Sequence, residues 1–342
     1  MVSKILKVLF FNLFLFSTVV QLRAQDPVFS QFYSSPVQIN PAFAGNTLNP
    51  FISLQYRNQW PALKAYVTYA ATYDQAIPDL NIGTGILLMT DNAGDGIYKT
   101  NQVAGFFSYD LQLGNDIHTK IGVEAGYVQS RLNWNKLVFF DQLDPRYGTK
   151  DAAGNPNLSG EQRPDNLNQG ILDLGAGILA YNHTYYAGMS YKHLTSPDVS
   201  YFNKNNKLFV GLPTRITVHA GAQYALGSSY SPSGVFISPN IMYVKQGEFS
   251  QINGGAYIGI NKFFFGGWYR HSGQNADAII GLVGFQQDIL KIGYSYDFTL
   301  SGLSGNSGGS HEVSLTFNFD NTERAKKRQR YRDMQDCFKM FR

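Results

Sequence analysis

The chain has 342 residues, a net charge of +4 and a mean hydropathy of −0.21; 15% of its residues are charged and 15% aromatic. An ordinary soluble domain carries about 25% charged residues; with 22 Tyr, 25 Phe and 34 Gly but a hydropathy below zero, the composition also excludes a bundle of membrane-spanning helices, which would be oilier and more segmental. The charge sits at the ends: +3 within residues 1–24 and +4 within 320–342 leave about −3 for the body, which excludes a nucleic-acid surface there, and the lone Cys337 excludes an internal disulfide.

Residues 1–24 read as a secretory signal peptide. Lys4 and Lys7 give a positive start, Ile5–Val20 is the apolar stretch, and Ala24 is the expected last residue removed. That stretch is short of the roughly 20 apolar residues of a membrane span, and no Cys follows it to carry a lipid.

Residues 25–50 differ from everything after them. Pro27, Pro36, Pro41 and Pro50 punctuate a run rich in aromatics, Phe29, Phe32, Tyr33 and Phe43. Proline removes ladder donors and restricts φ, so no strand is expected. The density of large apolar side chains argues against a solvated leader and for an ordered, irregular segment packed at the barrel mouth or as a plug.

From Phe51 onward the residues alternate with a period of two, the mark of strands with one oily and one polar face. In 310–319, Val313, Leu315, Phe317 and Phe319 fall on one face and Glu312, Ser314, Thr316 and Asn318 on the other. Fourteen candidate strands follow from this pattern: 51–59, 65–75, 81–91, 99–113, 117–131, 169–182, 184–194, 213–227, 234–244, 248–260, 263–271, 276–286, 288–299 and 310–319. Links after even strands are mostly tight, whereas the two longest, 132–168 and 195–212, both follow odd strands. One end of short turns and one end of long loops is the plan of an outer-membrane barrel. The expected fold is therefore all-β, a transmembrane barrel of about 14 antiparallel strands over residues 51–319, with both termini periplasmic.

Charges within the strands are expected to face the lumen, because a lipid-facing Arg or Lys near the midplane costs about 2–4 kcal/mol. They are Arg57, Asp74, Lys120, Glu124, Arg270, Asp277, Asp297 and Glu312. Two roles are open to them: an ion-pair network that rigidifies the barrel, or an interior that binds a ligand or segment. In the long loops, Phe139, Phe140, Tyr201, Phe202 and Phe209 are the aromatic candidates for partner contact or for folding inward. After Asp320 the chain turns basic (Lys326, Lys327, Arg328, Arg330, Arg332), with Tyr331, Met334, Phe338 and Phe341 at helical spacing. That tail reads either as a short amphipathic helix docking on a periplasmic protein or anionic head groups, or as a polar tail.

Chemistry is poorly represented. His271–Ser272, His219 and Glu312 supply residue types for a hydrolytic set but no nucleophile-elbow spacing. Asp91–Gly96 (DNAGDG) has part of a calcium loop and lacks its bidentate Glu, so a glycine-rich turn is the simpler reading. No metal, cofactor or catalytic residue is expected.

Several stretches carry a resemblance: QDPVFSQFYSSPVQINPAFAG (Gln25–Gly45), YRNQWP (Tyr56–Pro61), DNAGDGIYKTNQVAG (Asp91–Gly105), ISPNIMYVKQG (Ile237–Gly247), GLVGFQQ (Gly281–Gln287) and KIGYSYDFTLSGLSGNSGGSHEVSLTFNF (Lys291–Phe319). In this order they resemble the PorP/SprF family, outer-membrane proteins of Bacteroidetes tied to type IX secretion and gliding motility. The resemblance implies a partner of secreted cargo that helps export, hold or anchor a large surface adhesin through its C-terminal sorting domain, with contact to periplasmic ring components of the machinery. It also implies that Phe29, Ser30, Gln31, Phe32, Asn40, Pro41, Ala42 and Gly45 form a structural feature of the barrel mouth. The tail with Cys337 is similar to the Cys-containing tails of some members but ends differently, in DCFKMF. The expected surroundings are membrane lipid, a secreted adhesin or other cargo, and no nucleic acid. The competing reading is a diffusion or uptake channel for a small solute.

Overall fold

A computed structural model of the chain describes residues 26–113, 117–201, 211–226, 235–273, 275–300, 305 and 307–322. The alternating residues close into one antiparallel barrel of 14 strands. These are β1 (Phe51–Gln59), β2 (Tyr66–Ile77), β3 (Ile82–Ala93), β4 (Tyr98–Gln112), β5 (His118–Leu132), β6 (Asn168–Tyr181) and β7 (Tyr185–Lys192). They continue as β8 (Arg215–Ala222, then Tyr224–Leu226), β9 (Val235–Gln246), β10 (Phe249–Ile260) and β11 (Phe263–Ser272). The last are β12 (Asn275–Gln287), β13 (Leu290–Thr299) and β14 (Ser310–Asn318).

Each strand pairs with its chain neighbours, and β14 closes on β1 from Phe51↔Asn318 to Gln59↔Ser310. Closure leaves no edge with unpaired backbone groups, which hydrocarbon would not tolerate. The two pieces of β8 pair with β9 in a single register, Gly221↔Asn240 and Tyr224↔Ile237. Between these pairs the ladder is interrupted at Ala222 and Gln223, opposite Pro239 and Ser238, and the Gln223 N–H donates instead to the Thr184 carbonyl at 2.8 Å. The final strand stops one residue earlier than the alternation suggests, because Phe319 enters a 3-10 turn, Phe319–Asn321.

The period of two sorts polar from apolar in the sense opposite to a soluble protein. In β14, Glu312, Ser314, Thr316 and Asn318 are buried inside, while Val313 is 41% exposed outside. Leu54, Ile86, Val103, Ile121, Ile178, Ile241, Ile279 and Ile292 extend this outward apolar band around the barrel, the face that meets lipid. The links at one end (78–81, 113–117, 182–184, 227–234, 261–262 and 288–289) are at most eight residues long; this is the turn end. The long links 133–167 and 193–214 share the other, the loop end.

Candidate functional site

Fourteen strands enclose more space than wall side chains fill, and the N-terminal segment occupies it. Its prolines break it into three single 3-10 turns, Phe32–Ser34, Pro36–Gln38 and Pro41–Phe43. The segment is not confined to the mouth. At the loop end the Asp26 N–H donates to Gln246 Oε1 (3.0 Å); at the turn end the Leu48 and Asn49 N–H groups donate to the Asp320 carboxylate (3.0 and 2.8 Å). It runs the length of the lumen.

In the loop half, Ser30 and Gln31 are held by four charges drawn from β1, β11, β13 and β14. Both carboxylate oxygens of Glu312 accept segment N–H groups, Ser30 and Gln31, at 2.8 Å each. Arg57 lies 3.0 Å from Glu312 and 2.9 Å from Asp297, and Arg270 lies 2.8 Å from Asp297. Both arginines donate to Ser30 Oγ at 2.7 Å, and Ser30 Oγ donates to Asp297. Two cations and two carboxylates balance, as buried charges must. Gln31 Nε2 donates to the Glu312 carbonyl (2.9 Å), and its Oε1 accepts from Ser314 Oγ (2.6 Å) and Tyr33 (3.0 Å).

Below this layer the contacts turn aromatic. Tyr33 packs edge-on against Tyr257 (4.6 Å) and Phe264 (6.1 Å), and Phe32 against Trp268 (6.1 Å). Lys291 Nζ sits over the Tyr33 and Phe264 rings. In the turn half, Asn40 is fully buried. Its Oδ1 accepts the Ala42 N–H (2.9 Å), and its Nδ2 reaches the Ile178 carbonyl (2.9 Å) and His219 Nε2 (3.1 Å). The Pro41–Gly45 turn lies flush on the wall: a Cβ on Gly122 would fall 2.3 Å from Ala42 N, and one on Gly83 would fall 2.0 Å from the Ala44 carbonyl oxygen. Gly45 itself has φ +62, where a side chain would be strained. Lys120 Nζ donates to the Ala44 carbonyl (2.7 Å), and Asp74 receives the N–H groups of Gly45 and Asn46.

A second charge cluster closes the loop end. Asp26 Oδ2 lies 2.7 Å from His193 Nε2 and 3.4 Å from Arg215; His193 Nδ1 lies 2.9 Å from Asp173. Lys192 pairs with Glu124 at 2.8 Å. His193 follows β7. Burial alone would push its imidazole down, but the Asp26 and Asp173 carboxylates outweigh that and hold it up at about 9. Burial would raise the Asp26 carboxyl; His193, Arg215 and Lys192 hold it far below the usual range instead. A cavity of about 40 Å³ remains here, bounded by Asp26, Phe29, Ile39, Gln55, Met89 and His193, room for a few waters.

The structure brings Arg57, Arg270, Asp297 and Glu312 together, sets Asp74 and Lys120 against Gly45, and pairs Glu124 with Lys192. Asp277 stands apart: it is the extra residue of a bulge between the Arg270↔Ala278 and His271↔Ala276 pairs. His219 lies under Phe43 (ring centroids 5.2 Å), whereas His271 faces outward beside Tyr269; with Glu312 on the segment, the three form no common site. In the DNAGDG turn, Lys136 Nζ donates to the Asp95 carbonyl at 2.5 Å and Lys64 lies 3.6 Å from the Asp95 carboxylate, so lysines take the place a cation would need. Asp26, Asp173, Lys192, His193, Arg215 and Asp320 are not among the residues the alternation singled out. For Asp173, Lys192 and Arg215 the signal exists, since each is a charge at an inward strand position.

The loop 133–167 has a built shape. Asp141 accepts from Ser159 Oγ (2.9 Å) and the Gly160 N–H (2.6 Å), and Asp151 accepts from the Ala153 and Asn155 N–H groups (2.8 Å each). On this braced loop Phe140 is 91% and Leu158 92% exposed. Phe139 turns back onto Trp134 (4.8 Å), and Tyr201 packs edge-on to Tyr98 (6.3 Å). Phe202, Phe209, Tyr331, Met334, Cys337, Phe338, Phe341 and the signal segment lie outside the described residues.

The family model for the type IX secretion system membrane protein PorP/SprF matches residues 21–317. No curated protein matches the chain. Among solved structures the chain is similar to outer-membrane barrels. The outer membrane protein Omp33 of Acinetobacter baumannii matches at 8% identity and TM-score 0.42, covering 80% of this chain and 98% of that one. The TodX monoaromatic hydrocarbon channel matches at 9% and 0.42, covering 83% and 92%. CdiB from Acinetobacter baumannii matches at 7% and 0.43, covering 78% and 59%. At these identities the likeness is one of barrel fold alone.

Proposed function

The chain belongs to the type IX secretion system membrane protein PorP/SprF family, and from that premise we propose that it is a non-catalytic outer-membrane partner of secretion that exports, binds or anchors a large cell-surface protein, of the gliding-adhesin kind, through that protein's C-terminal sorting domain. The observation that carries this reading is the occupied lumen. A solute channel needs a continuous wet path, whereas here the segment from Asp26 to Asn49 is hydrogen-bonded to the wall at both ends and buried between them. The working surface is then what the barrel presents at the loop end. Phe140 and Leu158, exposed on a braced loop, are of the kind that anchors a protein interface, and bracing lowers the ordering cost of binding. In this reading the loop end faces the cell exterior, which sets the Asp26 end of the segment on that side and not in the periplasm as the sequence suggested. The turn end with Asp320 and the C-terminal tail is periplasmic, where Tyr331, Met334, Phe338 and Phe341 dock on ring components of the machinery.

Affinity purification of the tagged protein from its native outer membrane, followed by quantitative mass spectrometry, tests the proposal. Recovery of one large secreted protein in near-equal amount, retained through its C-terminal domain, is expected; loss of ring components on deleting 323–342 would assign the tail. A barrel recovered alone that conducts ions or solutes supports the channel instead. Orientation is tested separately by labelling Leu158→Cys, in a Cys337→Ser background, with an impermeant maleimide on intact cells.

A further inference from the structure

On the outer surface Lys99 of β4 stands directly opposite Arg131 of β5. Both are exposed, and strand parity places both on the lipid-facing side, in line with Val103 and Tyr127. Like charges facing each other across a strand pair repel. Inside the lumen the barrel also sets two cations opposite, Lys192 and Arg215, and there it supplies carboxylates: Glu124 at 2.8 Å from Lys192 and Asp26 at 3.4 Å from Arg215. Outside, among the described residues, it supplies none.

Amides border the outer pair on both flanking strands and toward the turn end. Asn92 flanks Lys99 on β3, Asn168 flanks Arg131 on β6, and Asn101 and Gln129 form the next outward-facing pair toward the turn end. The adjacent acids are engaged elsewhere: Asp91 accepts from Thr68 Oγ1 at 2.6 Å, and Asp95 faces Lys64. Up the outside of β4 and β5 the pairs therefore change from apolar (Val103–Tyr127) to amide (Asn101–Gln129) to cationic (Lys99–Arg131), each step about 7 Å along the strand. This is the order of hydrocarbon, sugar and phosphate met on leaving a membrane whose lipids are phosphorylated glycolipids.

We propose that Lys99 and Arg131 bind the phosphates of an outer-leaflet glycolipid, with Asn92, Asn101, Gln129 and Asn168 hydrogen-bonding its sugar. Arg131 supplies a planar fork for two phosphate oxygens and Lys99 a point charge. The assignment to the outer leaflet rests on the orientation proposed above.

The test is native mass spectrometry of the full-length protein in detergent, titrated with bis-phosphorylated lipid A, dephosphorylated lipid A and phosphatidylglycerol. The Lys99→Gln/Arg131→Gln double variant is expected to bind the phosphorylated form roughly thirtyfold more weakly, about fivefold for each cation. Wild type should bind dephosphorylated lipid A no better than the variant does, and Lys245→Gln, another exposed lysine near the loop end, should bind as wild type. Equal binding by wild type and double variant, or of phosphorylated and dephosphorylated forms, would overturn the site. Phosphatidylglycerol binding as tightly as lipid A would overturn the glycolipid assignment. If maleimide labelling instead places the loop end in the periplasm, the outer-leaflet assignment falls while lipid A binding in detergent stands, so the two failures are distinct.

Discussion

Replacing Glu312 by Gln isolates the grip of the wall on the segment. The Glu312 side chain is fully buried; it accepts the Ser30 and Gln31 N–H groups at 2.8 Å each and Arg57 Nη1 at 3.0 Å. Gln keeps the shape but turns one acceptor into a donor facing another donor. It also leaves Arg57, Arg270 and Asp297 with one uncompensated positive charge. Removing one partner of a buried pair costs about 3–5 kcal/mol, and a hydrogen bond to a charged group is worth about 1.5–3 kcal/mol. A central loss of about 4 kcal/mol corresponds to roughly a thousandfold rise in local opening. Hydrogen exchange read by mass spectrometry on the full-length protein in nanodiscs measures this directly. Residues 26–50 should exchange about a thousandfold faster in Glu312→Gln, with Glu248→Gln, at an exposed link, unchanged. Exchange within about threefold of wild type would refute the view that this network retains the segment.

Three further outcomes follow from other contacts. Gly122→Ala places a Cβ against the backbone of Pro41 and Ala42 and should destabilise the Pro41–Gly45 turn by about 1–3 kcal/mol, whereas Gly254→Ala, with open space at its Cβ, should be neutral in the same exchange measurement. His193 is held at about 9, above its ordinary 6.5, so the stability it gives the Asp26 latch is complete below about pH 6.5 and lost as pH rises through about 9, some 3 kcal/mol in all. Cleavage after Phe29 by chymotrypsin should increase across that window and lose its pH dependence in His193→Gln. Phe140→Ser/Leu158→Ser changes two exposed side chains, so barrel unfolding should stay within about 0.5 kcal/mol of wild type, while recovery of the secreted partner in affinity purification should fall severalfold.

The barrel is legible in the chain because each strand must separate lipid from lumen, so the period of two runs through the strands and survives a local break such as the bulge at Asp277. Parity also tells which way Arg57 or Glu312 faces. It does not tell which charge meets which: Arg57 on the first strand takes Asp297 and Glu312 from the last two, and Ser30 reaches Glu312 across 282 residues. The route of residues 26–50 is illegible for a related reason. Four prolines erase periodicity, and the contacts that fix the segment are glycines and polar groups scattered over the wall, such as Gly83, Gly122 and Lys120. His193 gives no periodic cue at all, since it sits just past β7 with φ 57. Phe140 and Phe139 are adjacent aromatics in one loop, yet one is exposed and the other packed on Trp134, a difference set by the loop's own hydrogen bonds.

The N-terminal segment runs through the lumen from Asp26 to Asn49, and the proposed function requires that it keep the barrel closed. Single-channel recording of the purified full-length protein in a planar bilayer tests it most directly. A closed lumen predicts insertion without steady conductance. A stable, reproducible conductance from the wild-type protein would contradict the account and make the barrel a channel.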